Sequence, residues 1–412
     1  MITRSLKPAL RSALFQTHWL FGITAGLVLA LVGVTGALMS FEEGLLLAFN
    51  RGVMTVAPRP QPPLSPPEVL ARIHAQHPER RVMSFTVWSD PARAMKIVFS
   101  QARGPGEAPA AQRGETRYAD PYCGELLAAP RGVEFFRKAR EIHRWLAAGE
   151  IGKQIVGAST IALVLLCLSG LYLRWPRNTA SWRAWLTVDF SRRGRSFLIE
   201  LHKAAGTWVL VPYLMMGLTG LYWSYGWYRD ALFAITGTQR PLRQAPESRL
   251  DKPEGARDSA KERRSDVDVA AVWSALQREA GAFRTATVRL PARPRQPVQI
   301  TYLDRHAAHD RAYSRLTLDA SSAAVTRHER YVEKTAGGKL MTSMLALHSG
   351  SFFGVAGSGA LMLASLLMPL FAITGWMLYV TKRGRRKALP AARAAEAAVA
   401  FGSLKSKQQD SS

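Results

Sequence analysis

LHKAAGTWVLVPYLMMGLTG, Leu201 to Gly220, repeats a pattern already present in THWLFGITAGLVLALVGVTG, Thr17 to Gly36. In both, a histidine opens a largely apolar run and is followed by the same small residues at the same offsets. His18, Gly22, Gly33, Thr35 and Gly36 correspond to His202, Gly206, Gly217, Thr219 and Gly220. A second pattern lies between and after them: His143, Gly149, Gly152, Ser169 and Gly170 match His348, Gly354, Gly357, Thr374 and Gly375 in spacing. The alternation of the two patterns reads as a duplicated unit of two hydrophobic segments, each with one histidine at its edge.

The apolar residues, 48% of the 412, are unevenly spread. Trp19 to Phe41, Gln154 to Leu173, Ala204 to Tyr228 and Leu340 to Thr381 contain no Asp, Glu, Lys or Arg. Each is long enough for a helix across a hydrocarbon core, which takes about 20 residues. The mean hydropathy of -0.05 then reflects dilution by polar domains. Arg4, Lys7 and Arg11 before the first run would also suit a cleaved signal peptide, but the run is longer than such a core and no small-residue cleavage site follows it. It reads as a retained anchor.

Basic residues crowd the N-terminal tail, the stretch from Arg174 to Lys203, and the tail after Lys382. Together these carry more than half of the net charge of +25. The positive-inside rule puts all three in the cytoplasm, giving four spans with both termini inside. Because the charge brackets the spans, it speaks for topology in a lipid bilayer and against nucleic-acid binding.

The expected organisation is a cytoplasmic tail (1–17), a first span (18–41), an extracytoplasmic domain (42–150), a second span (151–175) and a cytoplasmic loop (176–200). A third span (201–228), a second extracytoplasmic domain (229–347), a fourth span with its outer extension (348–381) and a cytoplasmic tail (382–412) complete it. In the first domain QPPLSPP, Gln61 to Pro67, reads as a stiff linker, and Ser65 is placed to cap a helix running through Gln76. Strand-like runs follow at Arg81–Ser89, Ala94–Ser100 and Glu115–Leu127. The second domain repeats this scheme. A linker of charge, Pro and Ser at Gln239–Arg264 leads into a helix at Asp266–Ala280, then strands at Arg284–Leu290, Pro297–Leu303 and Tyr313–Val325.

YADPYCGEL, Tyr118 to Leu126, resembles the apolar, Asp-Pro-x-Thr-Gly, apolar signature of PepSY domains, and LDASSAAV, Leu318 to Val325, resembles a degenerate copy. With its spans and edge histidines, the chain from about residue 10 to 385 resembles the PepSY-associated transmembrane proteins, also called iron-regulated membrane proteins. That family includes diheme inner-membrane ferric-siderophore reductases of the FoxB type. The resemblance implies a membrane protein with a four-transmembrane-helix bundle and two extracytoplasmic α+β PepSY-like domains. As partners it implies a ferric siderophore or another periplasmic electron acceptor.

On the expected topology His18 and His202 lie at the inner face, His143 and His348 at the outer face. Two neutral imidazoles from facing helices are what six-coordinate haem iron needs, so the four suggest two molecules of haem b, one per pair. Gly22 and Gly206, one turn after their histidines, would leave room for a flat porphyrin, although glycines in spans also serve helix packing. Gly36 and Gly220 return to the histidine face five turns on, where the edge of the other pair's haem could pack.

Arg144, Trp145 and Trp227 are candidates for contacting substrate, the last within an aromatic group (Tyr222, Trp223, Tyr225, Trp227, Tyr228) that also suits a membrane belt. His74, His77, His306, His309 and His328 lack any such symmetry and read as solvated, HAAHD at His306–Asp310 being a polar turn. Cys123 and Cys167 fall in different compartments, which argues against a disulfide. There is no C-x-x-C-H, Walker A, HExxH or GxSxG motif.

Two functions from different classes fit these features. One is a transmembrane electron carrier, probing outward from a cytoplasmic or quinol donor to an external ferric siderophore, and so a ferric-siderophore reductase. The other is a membrane-anchored PepSY regulator that binds peptides or proteases and needs none of the histidines.

Overall fold

The long charge-free runs become helices because, out of water, every backbone polar group has to be satisfied within its own segment. In the computed structural model, which describes residues 2–100, 114–176, 179–238, 267–292 and 296–381, these helices belong to one of two compact units. The helical unit comprises Met1–Ala37, Arg140–Ser224 and Ala360–Ser412, and the sheet unit comprises Leu38–Ala139 and Tyr225–Gly359.

In chain order the helices are α1 (Ile2–Met39), α2 (Glu42–Phe49), α3 (Pro66–Gln76), α4 (Val133–Trp145), α5 (Gly149–Arg174), α6 (Trp182–Leu186), α7 (Gly194–Trp208), α8 (Leu210–Ser224) and α9 (Gly226–Ile235). Then follow α10 (Val269–Ala280), α11 (Ala336–Thr342), α12 (Met344–Ser349) and α13 (Gly354–Leu366), with a further helix over 368–381. The strands are β1 (Val82–Trp88), β2 (Met95–Phe99), β3 (Glu115–Ala119), β4 (Phe283–Arg289), β5 (Val298–Asp304), β6 (Tyr313–Leu318) and β7 (Val325–Glu329).

Among the described residues, three helical stretches are long and apolar enough to cross a membrane: Pro8–Met39, Gly149–Arg174 and Ser351–Thr381. The expected third span is not one straight helix. It is the pair α7 and α8, bent by 60°, and makes a fourth crossing only if the pair is counted as one. Pro212 is the cause: it has no N–H to give the carbonyl of Trp208, four residues back, and the helix turns at the residue between, Val209. The stretch also ends at Ser224 rather than at Tyr228, since α9 starts anew at Gly226. At the other end, the expected tail 1–17 is helical from Ile2, so His18 sits inside α1 rather than at its start. The linker 239–264 and the tail 382–412 lie outside the described residues.

Within the helical unit, Ala25, Leu29, Leu163, Cys167, Tyr213 and Met368 form the shared core, and the Tyr213 hydroxyl donates to the carbonyl of Ala364 at 2.9 Å. Two glycines of the repeat serve this packing. A side chain at Gly33 would meet Met368 and the Ser365 carbonyl at 2.6 Å, and one at Gly217 would meet Val164 at 3.1 Å.

The sheet unit holds the expected helices and strands, but the strands form one sheet, β3-β2-β1-β4-β5-β6-β7, antiparallel throughout. The expected two domains are therefore two halves of one layer, joined where β1 pairs with β4 and Thr86 meets Thr287, hydroxyl to hydroxyl, at 2.8 Å. One helix from each half, α3 and α10, lays Val69, Ile73, Val272 and Leu276 over Phe85, Ile97, Ile300 and Leu316. Both helices start on polar caps. Glu68 accepts from the amide and hydroxyl of Ser65, and Asp268 accepts from the amides of Ala270 and Ala271.

The Tyr313–Val325 run is not one strand but β6, a turn and the start of β7. Its turn matches the one in YADPYCGEL. Asp120 N–H donates to the Glu125 carbonyl and Gly124 N–H to that of Asp120, while Asp319 and Ala323 make the same two bonds with Ala324 and Asp319. Gly124 and Ala323 both take positive φ, 74° and 52°, a conformation natural for the first and strained for the second. In the first turn Arg59 pairs with Asp120 at 2.6 Å. In the second, the hydroxyls and amides of Ser321 and Ser322 surround Asp319 and hold its carboxyl down to about 2.

Candidate functional site

His18 on α1 and His202 on α7 meet in the helical unit with ring centroids 6.3 Å apart and planes at 74°. Each ring is fixed through Nδ1 by a hydroxyl of another helix: His18 by Ser169 Oγ at 2.9 Å and His202 by Thr374 Oγ1 at 2.7 Å. Those hydroxyls spend their own hydrogens on carbonyls one turn back, of Leu165 at 2.6 Å and Leu370 at 2.7 Å. They can only accept from the imidazoles, so Nδ1 carries the proton and Nε2 keeps its lone pair for a ligand.

His143, near the end of α4, follows the same rule. Its Nδ1 lies 2.9 Å from the Val32 carbonyl, which can only accept, and 3.3 Å from Thr35 Oγ1. The glycines after Ser169 and Thr35 make the seats for His18 and His143. A Cβ at Gly170 would come within 3.2 Å of His18 Cε1, and one at Gly36 within 3.1 Å of His143 Cε1. Ser169-Gly170 and Thr35-Gly36 are thus sockets for histidines of the other pattern. Spacing along one helix could not disclose this, and Gly36 is filled by His143 where a haem edge was expected. His348 lies on α12 in the sheet unit.

The glycines that follow His143 and His348 also have a use. Gly149 and Gly354 take positive φ, 57° and 69°. A Cβ at Gly152 would collide with the Trp145 carbonyl, and one at Gly357 with the carbonyl of Gly350. Both motifs turn the chain sharply from a histidine-bearing helix into the next one.

His18 and His202 open onto a cavity of about 740 Å³, within the ~300–1,000 Å³ usual for cofactor and ligand sites. Gly22 and Gly206 both line it. Nothing lies within 4 Å of a Cβ built at Gly22, and the nearest atom at Gly206 is Phe371 Cε1 at 3.7 Å. Leu29, Leu166, Met368 and Phe371 make its walls apolar. Two imidazoles on opposite sides of one metal ion, with metal–nitrogen bonds of ~2.0–2.1 Å and a ring radius of about 1 Å, have centroids roughly 6 Å apart. The separation of His18 and His202 meets that requirement. No group of three or more metal-ligating side chains occurs among the described residues.

The expected substrate residues separate between the units. Arg144 stacks its guanidinium over Trp145 at 4.3 Å at the end of α4, whereas Trp227, 64% exposed, stacks on Tyr225 in the sheet unit. Cys123 and Cys167 are both free. Two histidines expected to be solvated are not. His309 is only 6% exposed, with Nε2 at 2.9 Å from Ser343 Oγ and 3.1 Å from the Tyr331 hydroxyl, and His328 is bonded to the Tyr302 hydroxyl and Glu279.

No curated protein matches the chain. The family model for the PepSY-associated TM region matches residues 15–382, which takes in all the spans, the sheet and the four repeat histidines. The chain is a multi-pass membrane protein and belongs to the PepSY-associated transmembrane family.

Proposed function

We propose that this chain is a four-span, internally duplicated electron-transfer protein of the bacterial inner membrane that reduces a ferric siderophore outside the cytoplasm. The observation that carries the reading is the pair His18 and His202, 6.3 Å apart, both held through Nδ1 and both facing one apolar cavity. A haem b bound there would supply a one-electron iron couple. His18 and His202 would hold its iron, Ser169 and Thr374 would fix the orientation of the two imidazoles, and the aliphatic walls would keep water out. Gly22 and Gly206 leave the space beside the two ligands clear.

The second haem is assigned to His143 and His348 on the sequence repeat, with His143 already held in the same tautomer. Lys/Arg bias puts both termini in the cytoplasm, the His18–His202 pair at the inner face and the PepSY half-sheets outside. The donor would be a quinol or a cytoplasmic reductant, and one electron per ferric ion would pass to the chelate. Fe(II) is held less tightly than Fe(III) by hard oxygen donors, so reduction frees the metal.

The test is the visible spectrum of the purified protein before and after dithionite, followed by addition of ferric siderophores. A low-spin bis-imidazole spectrum, halved by His18→Ala or His202→Ala, and reoxidation by the chelate are expected. A colourless wild type would reject the haem reading and leave peptide binding by the PepSY sheet. A coloured protein that no ferric chelate reoxidises would reject the siderophore alone.

A further inference from the structure

The cavity between His18 and His202 is apolar except along one rim. Four cationic side chains line it, Arg11, Arg174, Arg195 and Lys203, and no Asp or Glu among the described residues does. Lys203 already pairs with Glu200 at 3.5 Å, as does Arg192. Arg174 and Arg195 differ. The Nε of each is buried without a hydrogen-bond partner among the described residues, a costly state for a charged group. Arg174 is held in place by Nη2, which donates to the carbonyls of Ala184 and Trp185. Its Nε N–H is the donor left for something else. Arg174 closes α5 and Arg195 lies in the first turn of α7, the helix that carries His202.

We propose that Arg174 and Arg195 are an anchor for two carboxylates, the propionates of a porphyrin seated between His18 and His202. The proposal rests on the haem reading above and adds to it how the macrocycle is oriented. The unpartnered Nε–H of a guanidinium donates a charge-assisted hydrogen bond to a carboxylate oxygen, in a site where water competes weakly. Two arginines at one rim match a ligand whose two acids leave the same edge of an otherwise apolar disc. The polar edge then lies at the rim with the arginines, and the apolar edge goes against Leu29 and Leu166. An anionic lipid phosphate is the other source of such a charge at a membrane face.

The test uses full-length protein made without haem, placed in nanodiscs and loaded with either protohaem or its dimethyl ester, which lacks the two charges. In the wild type the ester should dissociate about tenfold faster or more, the loss expected for charge-assisted hydrogen bonds. In an Arg174→Gln/Arg195→Gln variant the two porphyrins should dissociate alike, with the bis-imidazole spectrum retained. Equal rates in the wild type would overturn the anchor while leaving the haem, and so would a variant that keeps the full preference for protohaem. If the variant keeps that preference but loses bound phosphatidylglycerol, the arginines serve a lipid and the proposal falls. A wild type that forms a low-spin complex with neither porphyrin rejects the haem reading itself and the anchor with it.

Discussion

The hydroxyl behind each imidazole is where a single atom has most influence. Removing Ser169 Oγ takes away the acceptor that holds the His18 ring, and the neighbouring Gly170 leaves that ring free to rotate. Ser169→Ala is therefore expected to weaken haem retention by about 10–100-fold, the usual cost of losing a partner behind a metal ligand, with the low-spin spectrum preserved. Dissociation to an excess of apomyoglobin would measure it. His309 gives a residue-scale test in the sheet unit. Burial lowers its pKa below the usual 6.5, with Asp310 opposing, so the unfolded chain binds the proton more readily than the folded one. Its contribution to stability is then complete above about pH 6.5 and is lost as pH falls through the lower folded value. Denaturant midpoints should drop between pH 7.5 and pH 5 more steeply in the wild type than in His309→Asn. Equal slopes would contradict this.

At the scale of elements, the bend at Val209 sets the direction from which His202 approaches His18. Pro212→Ala restores an N–H to the Trp208 carbonyl and should straighten the pair α7–α8. The expected result is a protein that is at least as helical by circular dichroism but has a lower haem-to-protein ratio. The elements also show what the sequence could and could not disclose. Three of the long apolar helices, most of the strands and the helix capped at Ser65 follow from charge-free runs, alternation and capping residues, all of which are local. A proline inside an apolar run, such as Pro212, is visible in a sequence, but how far the helix bends there is not. The histidines were legible as repeated outliers at apolar edges. Their sockets were not, because an offset along one helix is silent about which other helix faces it. His309 looked like part of a polar turn and is enclosed by residues from Tyr331, Ser343 and Phe352, all later in the chain. The pairing of β1 with β4 was illegible for the same reason, since it joins stretches roughly 200 residues apart.

At the scale of the molecule, orientation can be read without any cofactor. Reporter fusions after Pro130 and after Lys334 are expected to be active outside the cytoplasm, and fusions after Arg193 and Thr381 inside it. An outside fusion after Arg193 would undo the assignment of histidines to faces. The shared sheet carries a consequence in time. β1, β2 and β3 are complete when the ribosome has yet to make the second pair of membrane segments, and the edge of β1 that β4 will cover is open. At ~5–20 residues per second that interval lasts about 10–40 s. During it the first half-sheet presents a bare row of amides and carbonyls to its neighbours, and the strand most like the missing β4 is the β4 of a neighbouring chain that is further along. Slower translation between Trp88 and Phe283 is therefore expected to raise the share of copies joined by exchange of half-sheets.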